Sequence, residues 1–379
     1  MYMNNQKRNL LLLVGIFAMA ALAYSILIPS FETTEFDPEV IEDISKGITT
    51  TSTTPEINNN NDELQDISNE KNDEEIIEIP DKDKAEDLIK FTVANGMLDN
   101  FTTYLIIGSD KRTANSSASR GYIDGQRADV IILGIINEEN SDQYLLSIPR
   151  DLLIKNPCTQ SIERINSSFS KNDCGNSAEN LAASVQILTG LTVDHFASFD
   201  FEGFEKIIDS FGGIEICVDK TQREGFSFEL QKGCQTVTGS TALNWIVSRN
   251  TEVLVGEKLV DKNGNDISEW EKMKGVSDLS RNDRQQYIIL QLMSEIKDFR
   301  SIGSLNTFIS TLEDAFIIDE NLNINKAVNI LWNFRETDLS EIKKLSIPVN
   351  PYELDDGRQV LIITKNFTDY AESMGMNES

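Results

Sequence analysis

Two arginine–aspartate pairs bracket one stretch of the chain, RADVIILGIINEENSDQYLLSIPRD. Arg127 and Asp129 open it, and Arg150 and Asp151 close it. These residue types suit phosphate chemistry. Carboxylates at short range hold a hard cation, and Mg2+ typically takes one or two carboxylates and completes its shell with substrate phosphates. The planar guanidinium fork matches phosphate oxygens two at a time. Metal and arginines together would stabilise charge developing on a leaving phosphate. The plainer reading is a set of ion pairs closing a sheet edge, and exposed pairs of that kind stabilise little.

For the four charges to meet, the two apolar runs between them must be antiparallel neighbours. Asp129 to Ile136 and Gln143 to Ile148 read as strands, and NEENSD (Asn137 to Asp142) supplies turn chemistry. In such a hairpin the start of the first strand lies beside the end of the second. The near-continuous apolar run from Asp129 to Ile136 predicts a strand covered on both faces. An earlier strand, Thr103 to Gly108, runs into SDKR. Asp110 and Arg112 therefore leave its C-terminal end and would join the same edge, where sites in open α/β sheets form.

A second basic group lies downstream, with Arg249 in VSRNTE and Asp278, Arg281, Arg284 and Gln285 in DLSRNDRQQ. Arg281 and Gln285 are four apart and share a helical face; Arg281 and Arg284 are three apart and also close. Like charges so near one another repel unless an anion lies between them. Neutralisation by Asp278 and Asp283 at a solvated helix start is the alternative.

The other elements give these residues a frame. Ser177 to Leu191 has apolar residues at helical spacing, with Ser177 as a cap and Gly190 as the stop. Asp200 to Gly213 predicts a helix with Asp200 as N-cap, an apolar face of Phe201, Phe204, Ile208 and Phe211, and Gly212–Gly213 as its end. Gly239 to Arg249 and Arg281 to Phe299 predict two more, the latter with Ile288, Leu292 and Ile296 as its stripe. Further helical patterns lie near Gly303 to Glu313 and Asn325 to Phe334, and strands at Ile214 to Asp219 and Gln359 to Thr364. Strands mixed with helices able to cover both sheet faces predict an α/β fold, layered α/β/α. His195 has no Ser/Asp partner pattern and reads as structural. No nucleotide-cradling glycine motif is present.

Composition narrows the partners and the compartment. The 379 residues carry a net charge of −28, which excludes nucleic acid as a partner. Residues 31–90 hold 19 acidic and 5 basic side chains, a net −14 and half of the total. With few aromatics and polar runs such as NNNND, this segment reads as a disordered extracytoplasmic linker. Before it, residues 1–30 place Lys7 and Arg8 ahead of an apolar run from Leu10 to Ile28, long enough to span a bilayer. Positive charge before the run and acid after it predict a single-pass anchor in the cell membrane, with the N-terminus cytoplasmic and the rest exported. A signal peptide cleaved after ALA (Ala21 to Ala23) is the rival reading. Export fits four cysteines in two local pairs, Cys158 with Cys174 and Cys217 with Cys234, although four cysteines allow three pairings. The single His and the absence of a CxxC spacing argue against zinc. Residues 91–379 read as one globular domain.

The motifs taken in order resemble the LytR-CpsA-Psr family, the cell-envelope glycopolymer ligases of Gram-positive bacteria. They are IIGSDKR, RADVIILGIIN, LLSIPRDL, RINSSF, LTGLTVDHFASFDFEGFEKIIDSFGGIEICV, GCQTVTGSTALNWIVSR and DLSRNDRQQ. Each alone is weak; in this order and spacing, from about Phe101 to Gln286, they are jointly specific. The resemblance implies a layered α/β/α domain with a central mixed sheet. It implies binding of a polyprenyl-pyrophosphate-linked glycan, with the lipid in an apolar pocket between sheet and helices. The glycan would pass through a phosphodiester to a muramic acid hydroxyl of peptidoglycan.

Residue by residue, the resemblance places Asp110 and Asp129 on Mg2+-associated positions, with Mn2+ as the alternative ion. It places Arg127, Arg150, Arg249, Arg281 and Gln285 on pyrophosphate-binding positions, and Asp278 where the acceptor hydroxyl would be activated. The residues expected to carry catalysis are Asp278, Arg150, Arg249 and Arg281. Three departures stand out. Val247 replaces the first arginine of the usual R-x-R that ends at Arg249, so a phosphate contact is missing or comes from Arg112 or Arg284. Arg164 replaces a lysine. An insertion from Asn250 to Ser277 is expected to form a flap near the site. Two other functions use the same residues: a pyrophosphatase acting on the lipid carrier, and a binding module without turnover, which Val247 favours.

Overall fold

The computed structural model describes residues 32–34, 36–49, 82–109, 127–170, 174–273, 278–297, 317–319 and 338–376. In chain order the strands are β1 (Glu32–Thr34), β2 (Phe101–Ser109), β3 (Ala128–Asn137), β4 (Gln143–Ser147), β5 (Leu153–Lys155), β6 (Ile162–Arg164) and β7 (His195–Asp200). They continue with β8 (Ile214–Val218), β9 (Gln222–Glu224), β10 (Phe228–Leu230), β11 (Gly233–Val237), β12 (Glu252–Val255) and β13 (Glu269–Lys272). The last four are β14 (Ile317–Asp319), β15 (Lys343–Ser346), β16 (Val349–Glu353) and β17 (Gln359–Ile363). The helices are α1 (Pro38–Thr49), α2 (Lys82–Ile89), α3 (Ser177–Thr189), α4 (Phe201–Ser210), α5 (Gly239–Val247), α6 (Asp278–Lys297) and α7 (Phe367–Ser373).

Seven strands form the central sheet in the order β1-β14-β7-β2-β3-β4-β15. The sheet is mixed. β2 pairs antiparallel with β3 and parallel with β7, and β4 pairs antiparallel with β3 and parallel with β15. The hairpin expected between Asn137 and Asp142 is present, with Ile132 opposite Ser147 and Ile136 opposite Gln143. Its turn is held by Asn137 Oδ1, which accepts from the main-chain N–H groups of Glu139 (2.8 Å) and Asn140 (3.2 Å).

Strand alternation sends side chains to both faces, and both faces are covered. On one, Ile106, Val130, Ile132 and Leu145 pack with Phe204 and Ile208 of α4, Leu243 and Trp245 of α5, and Ile288 and Leu292 of α6. On the other, Leu105, Ile107, Ile131, Leu133 and Leu146 pack with α1, α3 and α7. The fold is therefore the α/β/α layering that the sequence pattern predicts.

Local signals were right in part. Asp200 caps α4, accepting from Gly203 N–H at 2.8 Å. Gly190 ends α3 at φ 72°, a left-handed conformation that costs glycine little. The cap of α3, however, is Asn176 and not Ser177. Asn176 and Glu179 form a reciprocal capping box, and Glu179 also accepts from Asp37 N–H at 3.1 Å. α6 starts at Asp278, a turn earlier than its apolar stripe suggests.

The linker reading of residues 31–90 needs correction. β1 pairs parallel with β14, and α1 buries Phe36, Ile41 and Ile44 in the core beside α3. The rings of Phe36 and Phe196 of β7 lie 4.9 Å apart. Counting charge over the whole segment hid this amphipathic helix, whose acidic residues occupy only its outer face. Residues 1–30 and the two helical patterns at 303–313 and 325–334 lie outside the described residues. Among the described residues, no helix is long and apolar enough to cross a membrane.

Candidate functional site

One edge of the central sheet gathers the C-terminal ends of β2, β4 and β7 and the start of β3. The β2–β3 register shifts between Gly108 and Ser109, at the end from which the chain leaves toward Asp110. Bulges of this kind re-aim a strand end next to functional sites. Gly108 is also needed there, because a Cβ would stand 2.9 Å from the Cβ of Val130.

At this edge Arg150 Nη1 bonds Asp129 Oδ1. Its Nε lies 3.5 Å from Asp151 Oδ2, and Arg164 Nη1 lies 3.4 Å from Asp151 Oδ1. Two carboxylates and two guanidiniums thus alternate along the rim. Gln285 of α6 donates from Nε2 to the main-chain oxygen of Asp129 at 3.4 Å, bringing the helix to the start of β3. The main chain here is tied on several sides. Asn166 N–H donates to Arg150 O (3.2 Å), Leu361 N–H to Asp151 O (2.9 Å) and Ile165 N–H to Leu152 O (2.8 Å).

The electrostatics favour a permanent cation at Arg150. Burial works against its charge, but Asp129 and Asp151 more than restore it and leave its pKa above the ordinary guanidinium value. Its Nε is buried with no hydrogen-bond acceptor. Buried orphan donors call for an explanation, and an anion seated on this rim would supply the missing acceptor.

Arg164 stands on the β5–β6 hairpin, which a buried polar network supports. Asn156 Nδ2 bonds Glu163 Oε1 and reaches Ser168 Oγ at 3.3 Å, and Ser184 of α3 donates to Ser168 Oγ at 2.9 Å. The Cys158–Cys174 disulfide ties the loop beyond it to the start of α3. Sequence reasoning found Arg164 but missed Asp151 as its partner and missed Asn156 and Glu163 altogether. The RD pair at the end of β4 was the available signal for Asp151. Nothing local marks a buried Asn–Glu pair.

Arg284 departs from the expectation that it might replace a phosphate contact. It is buried, with Nη1 donating to Trp245 O (2.7 Å), Nη2 donating to Thr251 Oγ1 (3.1 Å), and its guanidinium 5.1 Å from the Trp245 ring. Burial pulls its pKa down to about 10, against the opposing pull of Glu224. Arg284 therefore joins α6 to the end of α5 and to the base of the insertion. Thr251 in turn shares a 2.6 Å hydrogen bond with Ser248, so the loop carrying Arg249 is held from within. A sequence signal existed, because Arg284 precedes Ile288 by four residues and so lies on the buried stripe.

The remaining expected residues stand as follows. Arg127 is exposed just before β3, and Arg249 is exposed just after α5. Val247 is the last residue of α5 and packs against the core, so its side chain extends the apolar layer between α5 and the sheet. Asp278 and Arg281 lie in the first turn and a half of α6, with their side chains outside the described residues. Asp110 and Arg112 also lie outside the described residues. His195 bonds Asp319 at 3.1 Å, far from this rim at the opposite end of β7. Cys217 and Cys234, directly opposed on β8 and β11, form the second disulfide. The insertion forms β12 and β13, which join β9 and β10 in a four-stranded sheet.

The family model described as LytR_cpsA_psr matches residues 68–257 and 263–373. The chain belongs to the LytR_cpsA_psr family. The break in the match falls within the insertion. Among relatives, the probable cell wall biosynthesis protein LcpB of Corynebacterium glutamicum is 29% identical over 157 residues, covering 40% of this chain and 36% of that protein. The polyisoprenyl-teichoic acid–peptidoglycan teichoic acid transferase TagU of Oceanobacillus iheyensis is 25% identical over 235 residues, covering 61% and 62%. The chain thus spans between about a third and two thirds of the length of these curated relatives. The crystal structure of TagV from Bacillus subtilis shares the fold at a TM-score of 0.54 and 20% identity, over 74% of this chain and 98% of that one. A structure of TagT bound to LIIa-WTA shares it at a TM-score of 0.51 and 17% identity, over 74% and 91%.

Proposed function

We propose that this family member is an extracytoplasmic phosphotransferase, held at the cell membrane by its N-terminal apolar run. It moves a glycopolymer from a polyprenyl-pyrophosphate carrier to a peptidoglycan hydroxyl. The observation that carries this reading is the alternating rim of Asp129, Arg150, Asp151 and Arg164, with an orphan guanidinium N–H at its centre. Relatives named as teichoic acid transferases support the substrate class.

In this reaction the acceptor oxygen bonds to the glycan-side phosphorus as the bond to the polyprenyl phosphate breaks. The hydroxyl proton goes to a base, for which Asp278 at the start of α6 is the candidate. Arg150, Arg127, Arg249 and Arg281 bind and orient the two phosphates, and Gln285 holds α6 against the start of β3. Charge-assisted, bidentate contacts of this type gain strength as charge builds on the leaving phosphate.

A divalent cation fits a site completed by substrate. Arg150 occupies Oδ1 of Asp129, which leaves Oδ2 directed to other partners, and Asp110 follows the adjacent strand end. Asp129 and Asp110 would hold Mg2+ or Mn2+, and the ion when bound would polarise the phosphoryl oxygens.

The test uses the full chain in detergent with a polyprenyl-pyrophosphate glycan and a peptidoglycan oligosaccharide, with and without Mg2+. Joined product detected by mass, dependent on the metal, is the expected result. Released glycan phosphate alone would replace the transferase reading with a hydrolase, and bound lipid with no turnover would replace it with a binding module.

A further inference from the structure

Among the exposed large hydrophobic residues described, Phe226 is the only aromatic, and its relative exposure of 111% means that the protein covers none of it. It sits at the tip of the β9–β10 hairpin, where Gly225 takes φ 51° and Ser227 N–H closes the turn on Glu224 O at 2.9 Å. The hairpin is a rigid mount. Phe228 is buried in the core at its base, and Asn244 of α5 donates to Ser227 O at 3.2 Å.

The position of this ring relative to Arg249 is set by strand register. β9 and β12 pair antiparallel, with Glu252 opposite Arg223 and Val253 opposite Gln222. Carried three residues further, the same register sets Arg249 opposite Phe226. A direct bond supports the continuation, since Asn250 N–H donates to Glu224 Oε1 at 3.2 Å. Directly opposed residues have Cβ atoms about 5 Å apart, so an exposed cation and an exposed aromatic face share one end of this sheet.

That pairing matches a sugar phosphate. The guanidinium takes the phosphate oxygens. The ring's electron-rich face meets the C–H groups of the attached pyranose, which carry partial positive charge. We propose that the β9–β10 turn is a sugar platform on which Phe226 stacks against the pyranose bonded to the phosphate that Arg249 holds. This inference rests on the transferase reading and names the part of the donor that the site recognises beyond the pyrophosphate.

The test is binding by calorimetry with the full chain in detergent. Two probes are used, a polyprenyl pyrophosphate bearing a single hexosamine and the same polyprenyl pyrophosphate without sugar. Phe226→Ala should weaken the glycosylated probe by roughly three- to tenfold and leave the bare one unchanged. Phe226→Trp should restore the difference. Because nothing packs on Phe226, the variant should keep the wild-type melting temperature.

Equal loss for both probes, or loss for neither, overturns the platform. Loss of binding to phosphatidylglycerol vesicles with sugar selectivity intact would assign the ring to a lipid surface and also overturn it. If wild-type protein transfers glycan and Phe226→Ala leaves its KM unchanged, the transferase reading stands and the platform falls. If wild-type protein binds neither probe, both fall together.

Discussion

Arg150 and Asp129 lie at opposite ends of one β-hairpin, and the hairpin register brings them into a direct ion pair at the sheet edge. The pair is largely buried, with side-chain exposures of 15% and 17%. Arg150→Ala should therefore do two things. It should leave Asp129 without its partner, and it should remove a cation from the place where charge develops. We expect transfer to fall by about 100-fold or more, the scale seen when one preorganised donor is lost. Arg150→Lys should recover little, because a point charge replaces a two-pronged fork. Steady-state transfer rates decide it, and normal turnover in Arg150→Ala would remove Arg150 from the site.

Arg284 acts at one remove from the chemistry. Its bonds to Trp245 O and Thr251 hold the two ends of the loop that presents Arg249. Arg284→Ala should orphan the Thr251 hydroxyl and the helix-terminal carbonyl, at a cost of about 2–4 kcal/mol. A purely structural role would lower stability and leave the kinetics of the remaining folded protein intact. A positioning role predicts a raised KM for donor as well, with Arg284→Lys recovering stability better than KM. Measuring melting temperature and KM on the same preparations separates the two.

The sheet edge was legible because its signals are local and periodic. Apolar runs flank NEENSD, charges terminate both strands, and the register then follows from strand geometry. Asp200 and Gly190 were legible as caps for the same reason. Arg284 was not, because three arginines and a glutamine at helical spacing show which residues are neighbours but not which of them turns inward. Only its four-residue offset from Ile288 separates it from Arg281. Asn156 and Glu163 were illegible because their partners, Ser168 and Ser184, come from elements whose contact depends on the whole fold.

The N-terminal helix α1 was hidden by its own charge, and its contribution can be measured. Ile41 is 1% exposed and packs in the core beside α3, and Phe36 lies against Phe196. Ile41→Ala should cost about 2–5 kcal/mol, the usual range for deleting a buried aliphatic side chain. A protein beginning at Phe91 should melt lower than one beginning at Glu32, because it loses α1 and exposes the apolar face of α3 that α1 covers. Equal melting temperatures for the two lengths would mean that α1 adds nothing to the stability of the sheet.

Asp194 gives the pH dependence. Its carboxylate accepts from Thr103 N–H at 2.8 Å at the end of the sheet away from the rim. Burial is the largest influence on it and raises its pKa above the ordinary 3.8, against the lowering effect of Thr103. Between the ordinary and the raised values, the folded state holds a proton that the unfolded state has lost. Stability from this group therefore falls as pH rises through that window, and the penalty for burying the charge is fully present above it. Asp194→Asn keeps an oxygen to accept from Thr103 and removes the charge. Unfolding in urea from acid to neutral pH should find the variant at least as stable as wild type at neutral pH. The advantage should shrink as the wild-type carboxyl becomes protonated. A variant less stable than wild type at neutral pH would mean that the hydrogen bonds to the ionised carboxylate outweigh its desolvation.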